Sequence, residues 1–294
     1  MRDTATLVSN APGVDVVLIA NGMTFPDALS GAPVAGMAGA PILLVTAGSI
    51  PTAVKTELGR LAPSKIVVLG GVGAVGNSVF DALKRYTEAG DIMRLAGNDR
   101  YETSSAIAEE VFNDQSQFVY IANGATFPDA LSAGPAAGVD GAPLLLLVET
   151  ARIPAPITAR LSAIKPAAII VMGGPGAVSE KVVSELKKKY TTNIHRIAGA
   201  DRYATAAKMS SIFWQGIPTP TVYVSSGLQF PDALAVAPVA AAVDTPLLLV
   251  QPNAIPQSVK DELRARKPQR IVIVGGAGAV SSAVAKALGN YIVP

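Results

Sequence analysis

One 25-residue stretch occurs three times in this chain. It reads NGMTFPDALSGAPVAGMAGAPILLV at 21–45, NGATFPDALSAGPAAGVDGAPLLLL at 123–147 and SGLQFPDALAVAPVAAAVDTPLLLV at 226–250. The phenylalanines that anchor it, Phe25, Phe127 and Phe230, lie 102 and 103 residues apart. A period of that size is a domain's worth of chain, too long for a solenoid repeat. Whatever this sequence folds into, it folds three times over.

Two further motifs keep the same period. VVLGGVGAVG at 67–76 returns as IVMGGPGAVS at 170–179 and IVIVGGAGAVS at 271–281. RLAGNDRYETSSAIA at 94–108 returns once, as RIAGADRYATAAKMS at 196–210. The repeats divide the chain into modules at 1–97, 98–199 and 200–294. The first module lacks an AGxDRY ahead of TATLVS, and the third reaches GNYIVP where an I-x-R-[LI]-A-G would begin, so the sequence reads as excised from a longer parent carrying a further functional domain.

Within a module, aliphatic runs alternate with amphipathic ones. In the first, strands are expected at Val14–Ala20, Pro41–Val45, Lys65–Leu69 and Ile92–Leu95. Helices are expected at Pro26–Met37, Pro51–Leu61 and Asn77–Tyr86, with Tyr101–Phe112 opening the second module. Continuous aliphatic strands between helices indicate parallel sheets covered on both faces, the doubly wound, Rossmann-like α/β class. Half the residues are hydrophobic but only 5% aromatic, which suits helices packed closely on aliphatic strands.

Residues 28–45 carry no charge and approach the length of a membrane span. Pro33, Gly36, Gly39 and Pro41 interrupt them, and the matching segments hold Asp140 and Asp244, so the apolarity is read as core. With 24 Lys and Arg against 22 Asp and Glu, bulk charge gives no argument for nucleic acid. The absence of cysteine removes disulfides and thiolate chemistry. His195 is the only histidine, and no nucleophile–base set or close carboxylate pair recurs in all three modules. No catalytic set, metal site or cofactor is implied.

In an open parallel sheet, the loops leaving the strands' C-terminal ends form the binding edge. Asp27, Asp129 and Asp232 follow Phe-Pro there; Pro and Asp suit the first turn of a helix, where Thr24 and Thr126 are candidate caps. The alternative makes these aspartates ligands for polymer hydroxyls, or partners for an arginine across a module interface. Arg100 and Arg202, next to Asp99 and Asp201 in DRY, suit bidentate anion binding or an ion pair with a nearby aspartate, and the two readings stand level. Arg94 and Arg196 lie on the preceding strand, placed to pair with a carboxylate or cap a helix. GVGAVG at 71–76 matches the dinucleotide pattern G-x-G-x-x-G, but it follows the third strand of its module, not the first, and Ser179 and Ser281 replace the last glycine. What survives is a turn at Gly71, Gly174 and Gly276 whose amides suit a phosphate or carboxylate. Basic residues at the ends of the second helices, such as Arg60, Arg160 and Arg266, are read as cations at helix C-termini. A threefold repeat without catalytic residues suits multivalent attachment to a polymer.

Taken together and in order, NGxTFPDALSxxPxAxxxxAPILL, IVVLGGxGAV and GxDRYxTA resemble the cell wall binding repeats of type two, over almost the whole chain. The resemblance implies a pseudo-threefold trimer of toprim-like α/β units. It implies an extracellular protein of a Gram-positive cell surface or S-layer, held non-covalently by an anionic glycopolymer of teichoic-acid or acidic-polysaccharide type. The family's Pro-Ile-Leu-Leu anchoring motif falls at Pro41, Leu43 and Leu44, at Pro143, Leu145 and Leu146, and at Pro246, Leu248 and Leu249. From its residues alone, that motif reads as core or inter-module packing. The variant SSGLQ at 225–229 and the missing first GxDRY set limits on strict equivalence of the three modules.

Overall fold

The computed structural model describes residues 13–24, 26–112, 116–147 and 152–293. The first module runs β1 (Val16–Asn21), α1 (Pro26–Met37), β2 (Ile42–Val45), α2 (Thr52–Leu61), β3 (Lys65–Leu69), α3 (Asn77–Leu83) and β4 (Ile92–Leu95). α4 (Arg100–Phe112) leads into β5 (Phe118–Asn123), α5 (Pro128–Val139), β6 (Leu144–Leu147), α6 (Ala155–Ile164), β7 (Ala168–Met172), α7 (Glu180–Lys189) and β8 (Ile194–Ile197). α8 (Arg202–Phe213) leads into β9 (Thr221–Ser226), α9 (Phe230–Ala242), β10 (Leu247–Val250), α10 (Gln257–Arg266), β11 (Arg270–Val274) and α11 (Ser282–Leu288).

The strands form three separate sheets, ordered β2-β1-β3-β4, β6-β5-β7-β8 and β10-β9-β11, with every pair parallel. Each aliphatic run serves two cores, because successive side chains point to opposite faces. In the first module Leu18, Ala20, Val67 and Leu69 pack beneath α1. Val17, Ile19, Ile66 and Val68 pack against Leu58 and Leu61 of α2 and Val79 and Leu83 of α3. The sheet is thereby covered on both faces, as the sequence predicts.

α1, α5 and α9 pack on one another around a pseudo-threefold axis, and residues of all three modules join one continuous core. Equivalent residues meet in layers. A Cβ on Gly134 would lie 3.3 Å from that of Ala32 and 3.4 Å from that of Ala237, its counterparts. One helical turn on, a Cβ on Gly138 would stand only 2.8 Å from that of Ala241. Near the N-terminal ends, the Phe127 and Phe230 rings lie 5.7 Å apart. Three helix backbones approach this closely only where side chains are small, which accounts for the run of Ala and Gly in the repeated stretch. Its apolarity is junction and core, and no helix among the described residues is long and apolar enough to cross a membrane.

The Pro-x-Leu-Leu strands take part in the same junction. β2 packs beneath α9, β6 beneath α1 and β10 beneath α5, so each lies under a neighbouring module's central helix. Leu145, Leu146, Leu248 and Leu249 are fully buried, while Leu43 and Leu44 are partly so. The helices that follow DRY carry the chain from one sheet to the next: after β4, α4 lies on β6 and α6, and after β8, α8 lies on β10 and α10. We propose the module boundaries at these crossings, between 97 and 98 and between 199 and 200.

Candidate functional site

In the order β2-β1-β3-β4 the chain leaves β1 and β3 towards opposite sides, so their C-terminal ends flank the switch point where open α/β sheets bind ligands. Here the chain fills that crevice itself. Asn21 Nδ2 donates across it to the carbonyl of Ala74 (2.5 Å), and Asn123 Nδ2 does the same to Ala177 (3.1 Å). The Asn21 amide oxygen accepts from the N–H of Met23 (2.6 Å) and Thr24 (3.2 Å), which fixes the entry to α1. Sequence reading offered Thr24 and Thr126 as caps; in the second module Phe127, not Thr126, occupies the N-cap position of α5, with no side-chain cap. The asparagines shape these turns, and Ser226 does so in the third module (Leu228 N to Oγ, 3.2 Å).

Asp27 stands in the first turn of α1 with its carboxylate against Gly70, which has φ +96°. Any Cβ at Gly70 would overlap that carboxylate; Gly173 meets Asp129 and Gly275 meets Asp232 in the same way. The constraint therefore lies on the first glycine of each GG pair. The second, Gly71, Gly174 or Gly276, borders open space, and the amides of Gly71, Val72 and Gly73 have no backbone acceptor among the described residues.

The aspartates join the sheet edge to the next module. Burial pushes the Asp27 carboxyl above the usual aspartate range, while a hydrogen bond from the Thr103 hydroxyl and the charge of Arg100 pull it back. Asp129 is raised by burial and opposed by Thr205 and Arg202 in the same way. Arg100 Nη1 donates to the carbonyl of Gly124 (2.5 Å) and Arg202 Nη1 to that of Gly227 (2.7 Å). The Tyr101 and Tyr203 rings cover the same two glycines at a range no Cβ would allow, and the Arg202 guanidinium lies 5.8 Å from the Phe127 ring. Each DRYxT segment thus ties the FPD aspartate of one module to the NG or SG loop of the next. Sequence reading offered an arginine across a module interface as one alternative for these aspartates and named neither Thr103 nor Thr205; the signal was the threonine three residues after each arginine.

The remaining candidates resolve individually. Asp99 caps α4 by accepting from Tyr101 N (2.9 Å) and Glu102 N (2.8 Å), and Asp201 caps α8 through Ala204 N (2.8 Å). An open cleft of about 710 Å³ brings Asp99 together with Arg152, Glu185 and Lys189. Arg94 Nη1 and Arg196 Nη1 each donate to the carbonyl of their module's first GG glycine, Gly70 and Gly173 (2.7 Å each), and Arg196 pairs with Glu180 at 3.1 Å. At the opposite edge, Arg60 pairs with Glu57 (2.7 Å), and half-buried Arg266 with buried Glu262 (2.5 Å).

These features define three α/β modules locked by strand-end clamps around one helical junction, with the repeated loops presented at one end. The chain belongs to the family described as Cell wall binding domain 2 (CWB2), matching it at residues 2–80, 94–183 and 196–285. It is 29% identical over 279 residues to the N-acetylmuramoyl-L-alanine amidase LytC of Bacillus subtilis (strain 168), covering 94% of this chain and 53% of that protein. It is 27% identical over 290 residues to the amidase enhancer of the same organism, covering 98% and 39%. The solved structures of Cwp6 and Cwp8 from Clostridium difficile superpose with TM-scores of 0.86 and 0.85 at 28% and 25% identity, over 94% and 98% of this chain and 44% and 49% of theirs. The chain therefore spans about half or less of these relatives. A cell-wall binding role follows from the family and the structural likeness together.

Proposed function

We propose that this chain is a non-catalytic, extracellular anchor that holds a surface protein to an anionic secondary cell-wall polymer. The observation that carries the reading is the threefold repetition of one strand-end edge around a single axis, in a chain that matches the wall-binding family three times. Three modest sites on one rigid body give avidity for a repeating polymer without any single tight site. Within each edge, the glycine turns at Gly71, Gly174 and Gly276 are the proposed polymer contacts, because they border open space and their amides have no backbone acceptor among the described residues. Asp27, Asp129, Arg100 and Arg202 contribute by holding the edges in register. The relatives' names, an amidase and its enhancer, fit a binding region attached to a separate functional domain. A nucleotide at the same edge is disfavoured, since Asn21 and Asn123 bridge the crevice that would receive it.

The test is cosedimentation with purified wall sacculi before and after acid extraction of their polymers. Binding should depend on the extractable polymer and weaken with added salt. Binding that survives extraction sinks the reading.

A further inference from the structure

The foot of the second module departs from its sister in the first, and the departures converge on one crevice. This open crevice, of about 500 Å³, lies between the β5–β7–β8 sheet and α8. It is bordered by Phe118 at the start of β5, Asp140 just past α5 and Phe213 at the end of α8, so it opens at the strands' N-terminal ends, opposite the glycine turns. Phe118, Tyr120, Asp140, His195, Ile212 and Phe213 line it where the first module has Val16, Leu18, Ala38, Met93, Glu110 and Val111. In the first module Val16, Met93 and Val111 pack on the shared core. In the second, three aromatic rings, a carboxylate and the chain's only histidine surround the space, and Phe118 and Ile212 are exposed beside it. The fold does not require this second set, because the first module builds the same elements without it.

Asp140 is only half satisfied. The Tyr120 hydroxyl donates to its Oδ2 (2.7 Å), which holds ring and carboxylate together, and among the described residues Oδ1 accepts no hydrogen bond. Asp244, just past α9, accepts from Trp214 Nε1 (2.8 Å). Burial raises the Asp140 carboxyl above the usual aspartate range, the Tyr120 hydroxyl pulls it back, and the charge of Asp244 raises it again. Among the described residues no lysine or arginine forms an ion pair with either aspartate. Arg196, which also lines the crevice, is committed elsewhere, to the carbonyls of Gly173 and Val178 and to Glu180. Two carboxylates that repel each other beside aromatic rings favour a cation, which ring faces attract within about 6 Å.

We propose that this crevice is a binding site for a small organic cation, a primary ammonium on a short apolar body. The ammonium donates to Asp140 Oδ1 and to the His195 imidazole, and the rings of Phe118, Tyr120 and Phe213 with the side chain of Ile212 enclose the apolar body. Pockets of this volume are of the size that holds small ligands. Asp140 repels an anion, so the crevice discriminates against the class of polymer proposed for the opposite edge. The two sites share no residue, and each proposal stands or fails without the other.

The experiment titrates the whole chain, labelled at its isoleucine methyls, with 2-phenylethylamine and follows the methyl resonances by NMR. The controls are 2-phenylethanol and 3-phenylpropionate, of similar size but neutral and anionic. The methyls of Ile170, Ile197 and Ile212, which line the crevice, should shift to saturation with the amine, and that of Ile66 in the first module should not. Both controls should bind at least about tenfold more weakly. Asp140→Asn keeps an acceptor for the Tyr120 hydroxyl and should weaken the amine by at least about tenfold. His195→Met, which installs the residue of the first module, should weaken it as well. If a variant fails to fold, the parent chain's preference for the amine over the two controls decides alone. Absence of a saturable shift at millimolar amine, equal binding of 3-phenylpropionate, or undiminished binding by a folded Asp140→Asn or His195→Met chain overturns the proposal.

Discussion

Replacing Gly36 by alanine should destabilise the whole chain, although the same replacement in an exposed helix stabilises. Gly36 lies in α1 on the axis, and an added methyl would overlap Ala241 of α9, with Gly138 of α5 also close by. Gly to Ala in a helix interior is worth about 1 kcal/mol in favour of the helix. Overpacking a close-packed core costs about 1–3 kcal/mol, and here the obstacle is another Cβ near two backbones, with no flexible side chain to move aside. We therefore expect Gly36→Ala to cost about 1–2 kcal/mol net, or about 2–8 °C in Tm at 2–4 °C per kcal/mol. Gly59 supplies the control: it lies in α2, is exposed, and has nothing within 4 Å of its Cβ position. Gly59→Ala should stabilise by up to about 1 kcal/mol. The decisive partner is Ala241→Gly, which removes the methyl that Gly36→Ala would strike. Urea denaturation of both single variants and the double should show a coupling of about 1 kcal/mol or more, with the double more stable than the additive sum. If Gly36→Ala stabilises as much as Gly59→Ala, or if the cycle shows no coupling, the close helical junction is wrong. Because the three modules share one core, the unfolding transition should also move as a unit.

Other consequences follow from the clamps. Gly70→Ala must accept φ +96° and displace the Asp27 carboxylate, so it should cost about 2–4 kcal/mol by urea denaturation, whereas Gly71→Ala, which borders open space, should cost under about 1. Arg202→Ala removes the donor to Gly227 O and the charge beside Asp129, for an expected loss of about 2–3 kcal/mol, and Arg202→Lys should recover little of it because an ammonium cannot span both partners. The carboxyls of Asp27 and Asp129 are raised above their ordinary value by burial, so the folded state holds their protons more tightly than the unfolded chain does. Their contribution is fully favourable below the ordinary aspartate value and is lost as pH rises through the raised one. Asp27→Asn should therefore flatten the fall of Tm with pH over that interval, read as a difference in slope from the parent; an unchanged or steeper slope contradicts the assignment.

The fold was legible because every strand is built on an aliphatic run and most helices begin at a Pro, Asp or Ser, so that β3, β4 and α1 fall at their expected bounds. β1 begins two residues later than expected and ends on Asn21, because the ladder to β2 carries the strand as far as that residue. The site was legible only in part, and the reason is physical. An aspartate in a first helical turn reads as a helix-start residue whether or not it does more, because the residue type satisfies both roles. What sets Asp27 and Asp129 apart is the arrival of Arg100 with Thr103 and of Arg202 with Thr205 from another part of the chain, which spacing alone does not show. The same holds for Gly70 and Gly71: both repeat, yet only Gly70 has positive φ and a carboxylate against it. Sequence spacing finds which residues recur. The contact each makes across a module boundary decides which recur for the fold and which remain to face a ligand, and by that division Gly71, Gly174 and Gly276 are the positions where recurrence lacks a packing reason.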